Sequence, residues 1–274
     1  MTLITGLPFA MSHHRNGPVA PGFAFITGGA RGLGNAIAVS FAKEGAKGVA
    51  LVDIQDEQTF QQGKEAVEKY GAKCITIRAD VTDEAQVERA VQTAVKEFGR
   101  IDYAANFAGI SGPLTAVVDT DLQGWKKVLE VNTVGVWLSM KHELKQMIKQ
   151  DSIDVEEGRV AQRGSIVNCA SVNSIMSGAG TSGYTASKHA VLGMTKAGAL
   201  EARKQDVRIN CVSPVGFIPV NVFDPTLISS GISSHAASQR RIHEGHGQDD
   251  VGKQGHGRWM GRFRKAPRED GELF

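Results

Sequence analysis

Six short apolar runs, separated by longer stretches with helical spacing, constrain this chain more than any other feature. They are FAFIT (23–27), GVALVD (48–53), CITIRAD (74–80), IDYAANFAG (101–109), GSIVNCAS (164–171) and VRINCVSP (207–214). None alternates strictly between apolar and polar residues. A strand that reads this way is covered on both faces, and crossover helices between such strands make the sheet parallel. The segments 35–44, 57–70, 83–98, 121–148 and 184–203 are long enough to be those helices. In 83–98, Val87, Val91, Val95 and Phe98 recur every three or four residues, so one face of that helix lies on the sheet. The pattern predicts an α/β fold, a doubly wound parallel sheet with helices on both faces.

The 274 residues, 41% of them hydrophobic, suffice for one large core. We expect a dinucleotide-binding and catalytic domain over 23–230. Residues 1–22, rich in His, Asn, Gly and Pro after a short apolar patch, read as a flexible arm. The polar stretch 149–164, with its two glycines, reads as a surface loop. A net charge of +2 offers no basic field for nucleic acid, and no apolar run approaches the ~18 residues that cross a bilayer. Neither partner is expected. Cys74, Cys169 and Cys211 each fall within or at the end of an apolar run, as small core thiols do, which points to a reducing compartment and a cytoplasmic protein.

The stretch FAFITGGARGLGNAIA passes from a strand through a glycine turn into a helix. Such a turn lets backbone approach a pyrophosphate and aims the unpaired N–H groups of the helix N-terminus at its charge. Asp53 ends the next strand nineteen residues beyond Gly34, where a carboxylate receives adenosine ribose hydroxyls and repels a 2'-phosphate. That favours NAD over NADP. Arg31 acts the other way, since a guanidinium in the loop can hold that phosphate, but the carboxylate lies against the phosphate itself. In YTASK, Tyr184 and Lys188 stand four residues apart, on one face of a helix. A phenol ionises near pH ~10, and a nearby cation favours the phenolate, so the pair can work as an acid/base group. Alone, it decides nothing, since most Y-x-x-x-K matches are a half-buried tyrosine beside a solvated lysine.

Taken in order, the motifs resemble the short-chain dehydrogenase/reductase family over roughly residues 23–214. They are T-G-x-x-x-G-x-G at Thr27, Gly28, Gly32 and Gly34, Asp80-Val81, NFAG at 106–109, Asn132 in EVNTVG, Ser171 in NCASVNS, then Tyr184, Lys188 and RINCVSP. Phe107 stands where the family more often has a second asparagine. The phrases GSIVNCASVNS and YTASKHAVLGMTK are similar to those of fungal members that modify polyketide or terpenoid intermediates.

The resemblance implies a Rossmann-like fold, a homo-oligomer and an NAD(P)-dependent oxidoreductase. Its reaction would interconvert a secondary alcohol and a ketone on a small or medium apolar substrate, as in a biosynthetic pathway. It implies cofactor contacts at Gly28, Arg31, Gly32, Leu33, Gly34, Asp53, Asp80, Val81, Asn106, Ala108, Gly109, Tyr184, Lys188 and Pro214. In the catalytic set it implies, Tyr184 exchanges the proton, Lys188 lowers its pKa and holds the nicotinamide ribose, Ser171 fixes the substrate oxygen, and Asn132 supports a water relay to Lys188. Ser171 precedes Tyr184 by thirteen residues at a strand end, where ligands bind in open parallel sheets.

After Pro214 the chain departs from the family. Val215 intervenes before Gly216, and residues 231–274 hold eight glycines and eight Lys or Arg but only four Val, Ile or Leu. No strand or buried helix reads there, so we expect an irregular tail, a missing or aberrant seventh strand as from a shifted or decayed coding frame, and an uncovered sixth strand. An oligomer built on that edge is then not expected. The alternative reading is a relic that binds dinucleotide without turnover. His243, His246 and His256 lack a supporting Cys or acidic pattern, and no metal is expected.

Overall fold

The computed structural model describes residues 19–154 and 160–215. Six strands form one sheet in the order β3-β2-β1-β4-β5-β6, with every pairing parallel. The strands are β1 (Phe23–Thr27), β2 (Gly48–Asp53), β3 (Lys73–Arg78), β4 (Tyr103–Asn106), β5 (Gly164–Cys169) and β6 (Val207–Val212). The helices are α1 (Gly32–Lys43), α2 (Glu57–Glu68), α3 (Glu84–Phe98), α4 (Leu122–Leu129), α5 (Val136–Met147) and α6 (Ser182–Ala202). This is the doubly wound, Rossmann-like order, in which the chain reverses direction across the sheet between β1 and β4 and leaves a crevice at their C-terminal ends.

The lack of polar alternation in the strands has its cause in two cores. Ala24, Ile26, Val49 and Leu51 face α1 and α2 with Ala38, Phe60 and Val67. Their neighbours Phe25, Ala50, Val52 and Ala104 face the other layer, with Ala90, Val91, Met140 and Met147. Val87 and Val91 are buried as the helical spacing requires, and the Phe98 ring stacks on Phe23 at 5.0 Å. Aspartates start three helices: Asp56, Asp83 and Asp121 accept from the backbone N–H of Thr59, Gln86 and Gly124 at 2.8, 3.1 and 2.8 Å. Gly99 ends α3 at φ 83°, a left-handed conformation that a side chain would oppose.

Two expectations need correction, and the expected surface loop is better anchored than its sequence suggests. The N-terminal arm stops short of Phe23, because Ala20 is buried and its N–H donates to Glu44 O at 3.0 Å. The single helix expected over 121–148 is two helices joined by a turn of π-helix at Glu130–Gly135. The polar 149–164 stretch is tied down at both ends. The buried Gln150 amide accepts from Ile101 N–H at 2.8 Å and donates to the Ile101 and Arg163 carbonyls at 2.9 and 3.0 Å, and Ile153 pairs with Gln162 in an antiparallel bridge. The expected tail at 231–274 and the question of a seventh strand lie outside the described residues.

Candidate active site

The crevice between β1 and β4 opens into a cavity of about 490 Å³. Its walls include ten of the residues expected to touch a cofactor: Gly28, Arg31, Gly32, Leu33, Gly34, Asp53, Asp80, Val81, Ala108 and Gly109. Space is made by omission. A Cβ on Gly28 would come within 2.7 Å of Ala108 N, and one on Gly34 would collide with the Gly28 carbonyl. Gly28 and Gly32 also hold φ of 67° and 59°, which glycine adopts without strain. Asp53 fixes the turn from the next strand, its Oδ2 accepting from Ala30 N–H at 3.1 Å and its Oδ1 from Ile54 N–H at 2.8 Å. Asn35, unremarked in the sequence, donates from Nδ2 to the Gly29 and Gly63 carbonyls at 3.0 and 3.1 Å and so ties the loop to α2.

A backbone cradle at the N-terminus of α1, with a carboxylate at the next strand end, fits an adenosine pyrophosphate. Sequence reading missed several wall residues, among them Ile54, Gln55, Phe107, Ile110, Lys127 and Val131. They lie within or just after the motifs, or come from α4 and the π-helical turn that follows it, and carry no pattern of their own.

At the far side of Gly109 stands a second group. A Cβ built on Gly109 would lie 3.1 Å from Asn132 Oδ1 and 3.8 Å from Lys188 Nζ. Lys188 is buried, stands 5.5 Å from the Tyr184 ring centroid and donates to the Cys169 carbonyl at 2.7 Å. Burial pulls its ammonium below the ordinary lysine value. The Ser171 hydroxyl is near enough to the Tyr184 phenol to favour its ionised form, so the serine, tyrosine and lysine gather at the end of β5 and the start of α6. The direction of the phenol's shift departs from expectation. Burial pushes Tyr184 up, the nearby Ser171 hydroxyl pulls it down less, and a charge on Cys169 would push it further up.

Asn132 and Asn106 lie beside and beneath the cavity rather than in its wall. Asn132 is fully buried in the π-helical turn; its Oδ1 accepts from Ile110 N–H at 2.8 Å, and its Nδ2 donates to the Ile110 carbonyl at 2.8 Å and to Ser187 Oγ at 3.1 Å. It therefore pins the strand-end segment that carries Gly109. Asn106 is not in the wall of the cavity. Its side chain lies beneath, donating to Glu143 Oε2 at 2.9 Å and to Asn168 Oδ1 at 3.0 Å. Pro214 meets the site through its carbonyl, which accepts from Val172 N–H at 3.0 Å, next to Ser171. Glu143 was missed, although Val136, Met140, Glu143 and Met147 recur at four, three and four residues and place it on the buried face of α5.

Among the described residues, no helix is long and apolar enough to cross a membrane, and no cluster of three or more His, Cys, Asp or Glu could hold a metal.

Known proteins agree with this geometry. The family model for short chain dehydrogenase matches residues 22–225. Zerumbone synthase of Zingiber zerumbet is 39% identical over 216 residues, covering 78% of this chain and 74% of its own. (+)-Borneol dehydrogenase 2 of Salvia officinalis is 41% identical over 194 residues, covering 70% of this chain but 63% of its own. This chain thus spans about two thirds of the length of such relatives. Among solved structures, NAD+-bound xylitol dehydrogenase superposes with a TM-score of 0.66 at 28% identity, covering 72% of this chain and 71% of the other. By that match and these relatives, the chain belongs to the short chain dehydrogenase family of nicotinamide-dinucleotide oxidoreductases.

Proposed function

We propose that the protein interconverts a secondary alcohol and a ketone on a small or medium apolar substrate, with NAD preferred to NADP. The observation that carries this reading is the meeting of the Ser171 hydroxyl, the Tyr184 phenol and the Lys188 ammonium beside Gly109, at the end of the glycine-lined cavity. Gly28, Gly32 and Gly34 would hold the pyrophosphate, Asp53 the adenosine ribose, and Lys188 the nicotinamide ribose. When bound, the nicotinamide supplies the hydride acceptor or donor.

The chain's own part is the proton. Ser171 positions the substrate oxygen against the phenol, and Tyr184 gives that oxygen a proton as the carbonyl is reduced, or takes one as the alcohol is oxidised. Burial keeps the phenol protonated, which suits the reductive direction at rest. The Lys188 ammonium, 5.5 Å over the ring, then stabilises the phenolate left behind. Asn132 holds Ile110 and Ser187 on either side, and so sets the height of Gly109 against Lys188.

Exposed Ile175 and Met176, just beyond Ser171, and exposed Leu114 beside Gly180 favour an apolar substrate. The names of the relatives zerumbone synthase and (+)-borneol dehydrogenase 2 favour a step of secondary metabolism. Three free cysteines favour a reducing compartment such as the cytoplasm.

The test is Tyr184→Phe, read by turnover and by cofactor affinity together. Turnover should fall by about 10²–10⁴-fold, the usual worth of a general acid, while dinucleotide affinity stays within about twofold. Retained turnover removes Tyr184 from the role. The rival reading, a dinucleotide-binding relic, requires that the unaltered protein bind cofactor and turn over no secondary alcohol or ketone.

A further inference from the structure

We infer that Glu143, a residue outside the reacting group, is a positioning residue for the floor of the dinucleotide cavity, acting through Asn106 and Thr27 as a proton-holding brace. The inference rests on the reading of that cavity as a dinucleotide site. Glu143 belongs to α5 and is completely buried, where an isolated carboxylate is among the costliest groups to place. Its Oε1 has no hydrogen-bond partner among the described residues. Its Oε2 is the terminus of a chain of bonds that all point one way. Ala108 N–H donates to Thr27 Oγ1 at 3.4 Å, the Thr27 hydroxyl donates to Asn106 Oδ1 at 3.4 Å, and Asn106 Nδ2 donates to Glu143 Oε2 at 2.9 Å.

The first members of that chain are the two walls of the cavity at their closest approach. Thr27 leads into Gly28, and a Cβ on Gly28 would stand 2.7 Å from Ala108 N. Asn106 can turn its oxygen toward Thr27 only if acceptors take its amino group, and it has two, Glu143 Oε2 and Asn168 Oδ1 at 3.0 Å. Asn168 is fixed in turn by donating to Thr195 Oγ1 at 3.0 Å. Removing Glu143 leaves Asn106 half-satisfied and free to rotate, and the separation of the walls is then no longer set from below.

The same geometry makes the brace sensitive to charge. The group that meets the carboxyl is Asn106 from β4, backed by Asn168 from β5 and Thr195 from α6, none of them ionisable. On its own helix, His142 and Lys141 point instead to Glu84 of α3. Among the described residues no cation offsets a charge at Glu143, and burial raises its carboxyl from 4.5 to about 8. Around neutral pH it is therefore a neutral acid that still accepts from Asn106. Above that range it becomes a buried charge under the cavity floor.

The experiment measures dissociation constants for NAD by titration calorimetry between pH 6 and 9 for the full chain and two variants. Glu143→Gln keeps the shape and the acceptor oxygen but cannot ionise. It should match the unaltered protein at pH 6 to 7 and keep that affinity at pH 9, where the unaltered protein weakens by about tenfold. Glu143→Leu should weaken binding by about tenfold at every pH, with Tyr184 proton chemistry on bound substrate unaffected. Identical pH profiles for the unaltered protein and Glu143→Gln would overturn the inference alone. So would full affinity in Glu143→Leu, and should that variant not fold, the Glu143→Gln comparison decides. Failure of the unaltered protein to bind any nicotinamide dinucleotide would overturn the reading of the cavity, and the inference with it.

Discussion

The two ends of the crevice are built by opposite means. Around the cofactor cradle, function comes from what is left out: Gly28, Gly34 and Gly63 sit where a Cβ would strike backbone, and the polar contacts offered are backbone N–H groups. Beneath the cradle and around Tyr184, function comes from what is packed in: Asn106, Asn132, Asn168, Ser187 and Lys188 are all buried and hydrogen-bonded to other protein groups. An added atom harms the first region, and a removed partner harms the second. In the first the penalty is steric and local, while in the second it spreads along a network because each orphaned group leaves another unpaired.

The largest effect that would sharpen this contrast lies in the second region and depends on pH. Glu143 binds its proton more tightly folded than unfolded, so the folded state holds the extra proton from the ordinary 4.5 up to about 8. Stability must therefore be free of the penalty below pH 4.5, fall as pH rises between those values, and stay at its lowest above pH 8. The full difference is at most about 5 kcal/mol, from 1.36 kcal/mol per pKa unit over that interval. Urea unfolding of the unaltered protein and of Glu143→Gln across this range should show the slope in the first and its loss in the second. Parallel curves would mean that the buried carboxyl ionises without cost, and that the packed region tolerates charge after all.

In the first region, Gly34→Ala should be the most damaging small change. The new Cβ meets the Gly28 carbonyl, and neither belongs to a flexible side chain that could swing aside. Overpacking costs about 1–3 kcal/mol, so NAD affinity should fall by up to about a hundredfold, with the pH profile unchanged. Gly32→Ala makes the internal comparison. There the added atom meets nothing, but φ is 59°, so the cost is conformational strain of about 1 kcal/mol and a weaker loss of binding. Equal losses in the two variants would show that backbone conformation, rather than crowding, limits the cradle.

The same division decides what could be read from the sequence. Omission leaves a mark, because glycines at fixed spacing after a β-rich run are visible as letters, and the cradle of Gly28, Gly32 and Gly34 was legible with its carboxylate, Asp53. The sheet was legible for a similar reason, since strands covered on both faces have nowhere to put polar residues. Packed-in polar groups are harder to read. Asn106 reads as a cofactor contact because it adjoins Ala108 and Gly109, yet its side chain turns away from them toward Glu143. The π-helical turn around Asn132 has no sequence signature, because one extra residue in a helical turn leaves the apolar spacing nearly intact. Even the sign of the Tyr184 shift depends on burial, which the YTASK spacing does not encode.

The smallest expected effect tests whether the omission region also carries a positive choice, between NAD and NADP. Asp53 is the one acidic side chain at that end whose oxygens are both fixed, by Ala30 N–H at 3.1 Å and Ile54 N–H at 2.8 Å. Held so, it presents charge to the adenosine ribose and opposes a 2'-phosphate, while the exposed Arg31 on the neighbouring turn attracts one. The carboxylate is anchored and the guanidinium is not, so NAD should bind more tightly than NADP. Asp53→Ala should cost NAD affinity about tenfold, the worth of one good ribose contact, and should leave NADP affinity level or improved. Asp53→Ala with Arg31→Ala should then lose the gain for NADP alone. Dissociation constants of both dinucleotides for the three proteins decide it: if the unaltered protein prefers NADP, Arg31 sets the choice, and the exposed residue outweighs the anchored one.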